Sequence, residues 1–150
     1  MNKKHSPYEW SVLECIEHLN LYGSFYLPVI ENAILSQKTV INPMIFKSGI
    51  IGNYFVNLIK IRPGKAKKMS AVKDMTPVNR HLTITTIERF LKQQEKLELL
   101  LNKAKYVDMA RAKTPISISK FIKLRLGDTL RFMVYHIERH VVQANNVHTN

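Results

Sequence analysis

Apolar positions recur at three- and four-residue spacing along much of this chain, which is the periodicity of amphipathic helices. Trp10, Leu13, Ile16, Tyr22, Tyr26 and Ile30 mark the first such run, and predict a helix over residues 8–36. Ser6 and Pro7 before it suit an N-cap followed by a proline at the first helical position. Gly23 and Pro28 predict a kink near Leu27. After a turn at Asn42-Pro43, residues 46–61 predict a shorter helix or two half-helices interrupted by Gly49 and Gly52. A second strong helix is expected over residues 83–106, with Ile84, Ile87, Phe90, Leu91, Leu97 and Leu100 inward. Its outer face carries Glu88 and Lys92, a favourable pair one turn apart.

Pro115 separates residues 107–125 from that helix, and Ile116, Ile118, Phe121 and Ile122 suit a brief extended piece or a helical turn. Gly127-Asp128-Thr129 opens a last helix ending near Asn146, with Leu130, Met133, Val134, Ile137, Val141 and Ala144 as its apolar face. The pattern shows no internal repeat and no second domain. It predicts an all-α fold, an antiparallel helical bundle, over residues 1–150.

Composition supports a packed core: 45% of the 150 residues are hydrophobic and 23% are charged, too apolar for a disordered chain. No apolar stretch reaches the roughly 18 residues that suggest a membrane span, so no membrane partner is expected. Cys15 is the single cysteine; it allows no internal disulfide, and a cytoplasmic, reducing compartment is expected.

The net charge of +12 raises the question of polyanionic partners. Between residues 60 and 80 seven Lys and Arg residues stand against one acid, Asp74, in a stretch that also holds Pro63-Gly64 and Pro77. This basic loop is read in three ways: a solvated connection, a site for an anionic small molecule or acidic partner, or a nucleic-acid contact. No recognised nucleic-acid motif accompanies it.

Three of the six histidines sit where metal chemistry can use them. His136 and His140 are spaced i,i+4 on the last helix, which puts both imidazoles on one face. His18 lies on or beside the apolar face of the first helix. If those helices are neighbours, three neutral nitrogens converge and leave a coordination position open. The alternative is a surface pair at 136 and 140 with a hydrogen-bonded interior histidine at 18; one i,i+4 pair arises by chance in about one such sequence in five.

The stretch Trp10-Ser11-Val12-Leu13-Glu14-Cys15-Ile16-Glu17-His18-Leu19 resembles the first signature of the DinB/YfiT-like superfamily, a tryptophan followed by a helix with a single histidine. Residues 126–144, containing His136-Ile137-Glu138-Arg139-His140, are similar to its second signature. The resemblance implies a four-helix bundle with a divalent metal ion, Zn or Ni above others, held by His18, His136 and His140, often in a homodimer. Characterised relatives include metal-dependent S-transferases that use a low-molecular-weight thiol, and hydrolase chemistry on a small-molecule substrate is the other reading; many members have no established reaction. Members usually carry another helix before the tryptophan, where this chain has nine residues, so either a full N-terminal helix is lacking or its packing surface is met by a partner chain or by residues 46–61.

Around this site, Gln143 shares the face of His136 and His140 and is a candidate for orienting a water or substrate. Glu14, one turn before His18, is a candidate acceptor for its second ring proton. Tyr22 reads as core. Arg125 and Arg139 suit either an anionic substrate or pairing with Asp128 and Glu138. Cys15 reads as a small buried hydrophobe, and His5, His81 and His148 receive no role. The competing function is a non-catalytic binding module that uses the basic loop over residues 60–80 to contact an acidic partner or nucleic acid.

Overall fold

The computed structural model describes residues 1–2, 4, 9–40, 45–62, 71–77 and 81–149. Four helices, α1 (Val12–Leu35), α2 (Ile50–Ile59), α3 (Ile84–Ala104) and α4 (Leu126–Thr149), pack side by side in the order α3, α1, α4, α2. A two-stranded antiparallel hairpin, β1 (Lys113–Ile116) and β2 (Ser119–Arg125), leads directly into α4.

Helix α1 starts later than the proline signal suggests. Ser6 and Pro7 lie outside the described residues, and the cap is Ser11. Its hydroxyl accepts from the Glu14 backbone N–H, and the Glu14 carboxylate accepts from the Ser11 N–H. This reciprocal pair satisfies two donors that a helix start leaves unpaired. The helix then runs unbroken to Leu35 with Pro28 inside it. Its apolar face, including Tyr22, Tyr26, Leu27, Ile30 and Ile34, forms the centre of the core with Leu97 and Leu100 of α3 and Leu126, Leu130 and Met133 of α4.

Side-chain pairs give the helix directions. Glu17 meets Arg89 and Glu31 meets Lys96, so α1 and α3 run parallel. His18 meets His140 and Tyr26 meets Phe132, so α1 and α4 run antiparallel. Asp128 meets Gly49 and Arg139 meets the Ile59 carbonyl, so α2 runs parallel to α4. Consecutive helices therefore alternate in direction while α1 and α2 are not neighbours.

Helix α2 forms one piece rather than two halves. Gly49 is its N-cap, and Gly52 sits inside it where a Cβ would fall about 2.1 Å from the Asp128 carboxyl carbon. Glycine here serves close helix packing rather than a break. Two further expectations are corrected. Ile84 and Leu91 are exposed, because among the described residues α3 packs mainly on α1 and its fully buried stripe runs through Thr86, Leu97, Leu100 and Ala104. Val134 and Val141 of α4 are exposed too; the inner face at that level belongs to His136 and His140. Residues 107–125 take the extended of the two forms expected for them, a small hairpin beside the four-helix bundle of a mainly helical fold. Thr114 and Ile116 of β1 are buried against the bundle, and the Thr114 hydroxyl bonds that of Thr129 in α4. The Asn42-Pro43 turn and the 63–70 and 78–80 parts of the basic loop lie outside the described residues. No helix among the described residues is long and apolar enough to cross a membrane.

Candidate metal centre

The antiparallel packing of α1 on α4 brings the second turn of α1 against the middle of α4. His18, His136 and His140 meet there, at 2%, 4% and 8% exposure, with one candidate ligand atom from each lying within 4.8 Å of the others. Burying three imidazoles together needs either hydrogen-bond partners or a shared cation.

Two of the rings have their tautomers set. His18 Nδ1 lies 2.6 Å from the Met75 carbonyl oxygen. A carbonyl only accepts, so the proton is on Nδ1 and Nε2 carries a free lone pair. Met75 belongs to a 3₁₀ turn, Lys73–Met75, in the connection between α2 and α3. His140 Nδ1 lies 2.9 Å from Gln143 Oε1, one turn further along α4, and its Nε2 is likewise left free. The third ring, His136, has its Nε2 3.2 Å from His18 Nε2, while its buried Nδ1 has no partner among the described residues.

Electrostatics keep all three rings neutral at pH 7. Burial pulls His18 down to about 4, against a small upward pull from the Met75 carbonyl. Burial and then the neighbouring His18 take His140 to about 3. His136 is lowered well below its ordinary value by burial first, then by His140, His18 and Arg139. Neutral imidazoles with inward lone pairs are the ligand form.

Aromatic rings enclose the cluster. Trp10 stands 4.7 Å from His18 and stacks on His140 at 5.8 Å; Tyr22 lies 4.3 Å from His136; Phe132 stacks on His136 at 5.3 Å. They exclude water from the sides of the imidazoles and hold the ring planes.

The supporting residues differ from the sequence reading. Glu14 does not accept from His18: its carboxylate is taken by the Ser11 N–H and by Lys4 Nζ at 2.7 Å, and the Met75 carbonyl has the role instead. Nothing in the sequence around Met75 signals this, because a backbone carbonyl carries no residue signature. Gln143 does share the cluster's face, but its amide binds the His140 ring. Arg125 donates to the Lys47 carbonyl and Arg139 to that of Ile59, so both tie α2 and its approach to the rest of the bundle. Cys15 is fully buried and its thiol is pushed up to about 12, by burial and then by the Glu14 charge. His81 is exposed at the start of α3, and His5 and the side chain of His148 lie outside the described residues.

The donor set suits a divalent cation of the zinc type. Nitrogens each about 2.0–2.1 Å from one tetrahedral ion stand roughly 3.3 Å apart, close to the 3.2 Å between the His18 and His136 Nε2 atoms. The unpartnered His136 Nδ1 also fits a ring that turns its other nitrogen to a cation.

No curated protein and no solved structure matches the chain. Residues 1–144 match the DinB superfamily, nearly the whole length and both histidine-bearing segments, and the chain belongs to that superfamily.

Proposed function

We propose that this protein is a divalent-metal-dependent enzyme acting on a small-molecule substrate in the cytoplasm, by transfer of a low-molecular-weight thiol or by hydrolysis. The observation that carries this reading is the convergence of three buried, neutral imidazoles, two of which hydrogen-bond through Nδ1 so that Nε2 of His18 and His140 carries the lone pair. Nitrogen donors without thiolate favour Zn²⁺ or Ni²⁺ over softer ions. When bound, such an ion lowers the pKa of a coordinated water or thiol and supplies a nucleophile near neutral pH.

The chain's own residues do the rest. His18, His136 and His140 would hold the ion, and three ligands leave a fourth position for the reacting group. Met75 O and Gln143 Oε1 orient two of the rings. Trp10, Tyr22 and Phe132 wall the site with apolar surface, which strengthens electrostatic interactions inside it. Cys15 takes no part as nucleophile, since a thiol held protonated to about pH 12 is inert.

Metal content of protein purified without an affinity tag, wild type beside His136→Ala, tests the reading. Near-stoichiometric divalent metal in the wild type and none in the variant supports it. Failure of both forms to bind added Zn²⁺ or Ni²⁺ refutes it.

A further inference from the structure

The histidine cluster occupies one end of the bundle. Residues 36–40, 45–50 and 103–125 gather at the other, a separation of about 25 Å along α1 from His18 to Leu35 at 1.5 Å per residue. Hydrogen bonds join these segments: Val40 N–H to the Tyr106 carbonyl at 2.8 Å, Arg125 to the Lys47 carbonyl at 3.0 Å, and Leu126 N–H to the Ala112 carbonyl at 2.9 Å. Lys38, Lys47 and the seven Lys and Arg residues of 103–125 face a single acid, Asp108. Nine positive charges against one negative make +8 of the chain's +12.

The same end exposes apolar side chains that the core does not use. Phe121 on β2 is 97% exposed, with Ile118 in the hairpin turn at 56% and Ile122 at 41%. Strand register places Phe121 among cations, with Ile122 on the opposite side of the strand and Ile118 at the turn. Leu124 points inward and is buried, so Phe121, Lys123 and Arg125 share the outer face. Lys113 pairs with Arg125, and Pro115 with Lys123. Two like charges directly opposite each other destabilise a hairpin, so this arrangement costs folding energy that an anionic partner would offset.

We propose that this basic, apolar-tipped end docks on an anionic membrane surface. Phe121, Ile118 and Ile122 enter the headgroup–acyl boundary, and Lys113, Lys123 and their neighbours meet the lipid phosphates and carboxylates. A second copy is the wrong occupant, because +8 would face +8. Nucleic acid matches the charge but offers aliphatic side chains such as Ile118 and Ile122 no apolar environment, whereas a bilayer buries both kinds of group. The absence of a spanning helix does not bear on a surface contact of this kind. Docked this way, the protein turns its histidine end to the solution.

Sedimentation of the full chain with vesicles of phosphatidylcholine, alone or with about one-third phosphatidylserine, tests the proposal. The expected result is binding to the anionic vesicles only, weakened by salt. Phe121→Ser, at an exposed position that leaves helix content unchanged, should lower the affinity about tenfold or more. Lys123→Gln should lower it about fivefold. Phe121→Trp should give a blue shift of emission on adding anionic vesicles. Equal binding to both vesicle types, no binding to either, an unaffected Phe121→Ser variant, or displacement of the vesicles by a single-stranded oligonucleotide would each overturn it.

Discussion

His136 differs from its two neighbours in having no partner for its Nδ1 among the described residues. His18 has its proton on Nδ1, so the short approach of the two Nε2 atoms in the free protein requires His136 to donate from Nε2. Its Nδ1 is then a buried acceptor without a donor. As a ligand through Nε2, His136 would carry its proton on Nδ1 instead. The other two rings need no such change, and their orientation depends on Met75 O and Gln143 Oε1. Gln143→Leu keeps the side-chain volume but removes the acceptor for His140. It should weaken Zn²⁺ affinity by about 10–100-fold, measured by competition with a chromophoric chelator; unchanged affinity would mean that His140 is positioned by packing alone. The depressed pKa values make a second prediction, for metal-free protein. The unfolded chain takes up protons on these histidines near pH 6.5, while the folded chain resists until about pH 4 at His18 and about pH 3 at His140. The unfolded state therefore binds more protons in that window. Stability is full above pH 6.5 and falls as the pH drops toward 4, by up to about 1.4 kcal/mol per histidine per pH unit. Urea midpoints across this range should decline, and zinc-loaded protein should start from a higher midpoint and decline at least as steeply, because its bound rings take up no protons either while the unfolded chain still does.

At the level of elements, α2 depends on a side chain in α4 rather than on its own cap. Gly49 supplies no side-chain acceptor, and the Asp128 carboxylate accepts from the Gly49 N–H at 3.0 Å while lying against Gly52. A methyl at position 52 would meet the Cβ, Cγ and Oδ2 atoms of Asp128 between 2.1 and 2.4 Å. Asp128 is 1% exposed and cannot swing away. Gly52→Ala should therefore destabilise the protein by about 1–3 kcal/mol, even though alanine favours helix at an exposed site. A raised urea midpoint would show that α2 does not pack this closely in solution. This element also shows where the sequence was legible. Three- and four-residue spacing located all four helices within a few residues, because each buries one long stripe. It read Gly49 and Gly52 as interruptions, since glycine as a contact surface depends on a partner 76 residues away. The hairpin was half legible, as an extended piece or a helical turn: Phe121 and Ile122 are both exposed, so β2 lacks the clean alternation that marks a half-buried strand. The histidine cluster was legible as i,i+4 spacing on α4 plus His18, but its convergence depends on α1 and α4 being neighbours. The carbonyl that orients His18 left no mark.

For the molecule as a whole, the order α3, α1, α4, α2 leaves α2 at an edge, packed on α4 and β2. Its ten residues, Ile50–Ile59, include no charged side chain. Gly52, Val56 and Ile59 are buried, whereas Ile51 and Tyr54 point outward, Tyr54 at 61% exposure. An uncharged helix with apolar residues on both sides is a costly surface to leave in water. A homodimer is the occupant we propose for this face. Two uncharged helices do not repel, in contrast to the basic ends, and a two-fold axis lets one apolar stripe cover its own copy. The expected outcome is a dimer in sedimentation equilibrium that Tyr54→Lys converts to a monomer, by setting two like charges across the axis. Because Tyr54 is not among the residues buried in the bundle, that variant should keep its helix content and its metal stoichiometry. A wild-type monomer at all concentrations would remove the dimer while leaving the histidine cluster, which lies within one chain, untouched. The dimer and the membrane contact use different residues, so Tyr54→Lys should reduce vesicle binding only through the loss of two-point attachment, and Phe121→Ser should leave the dimer intact.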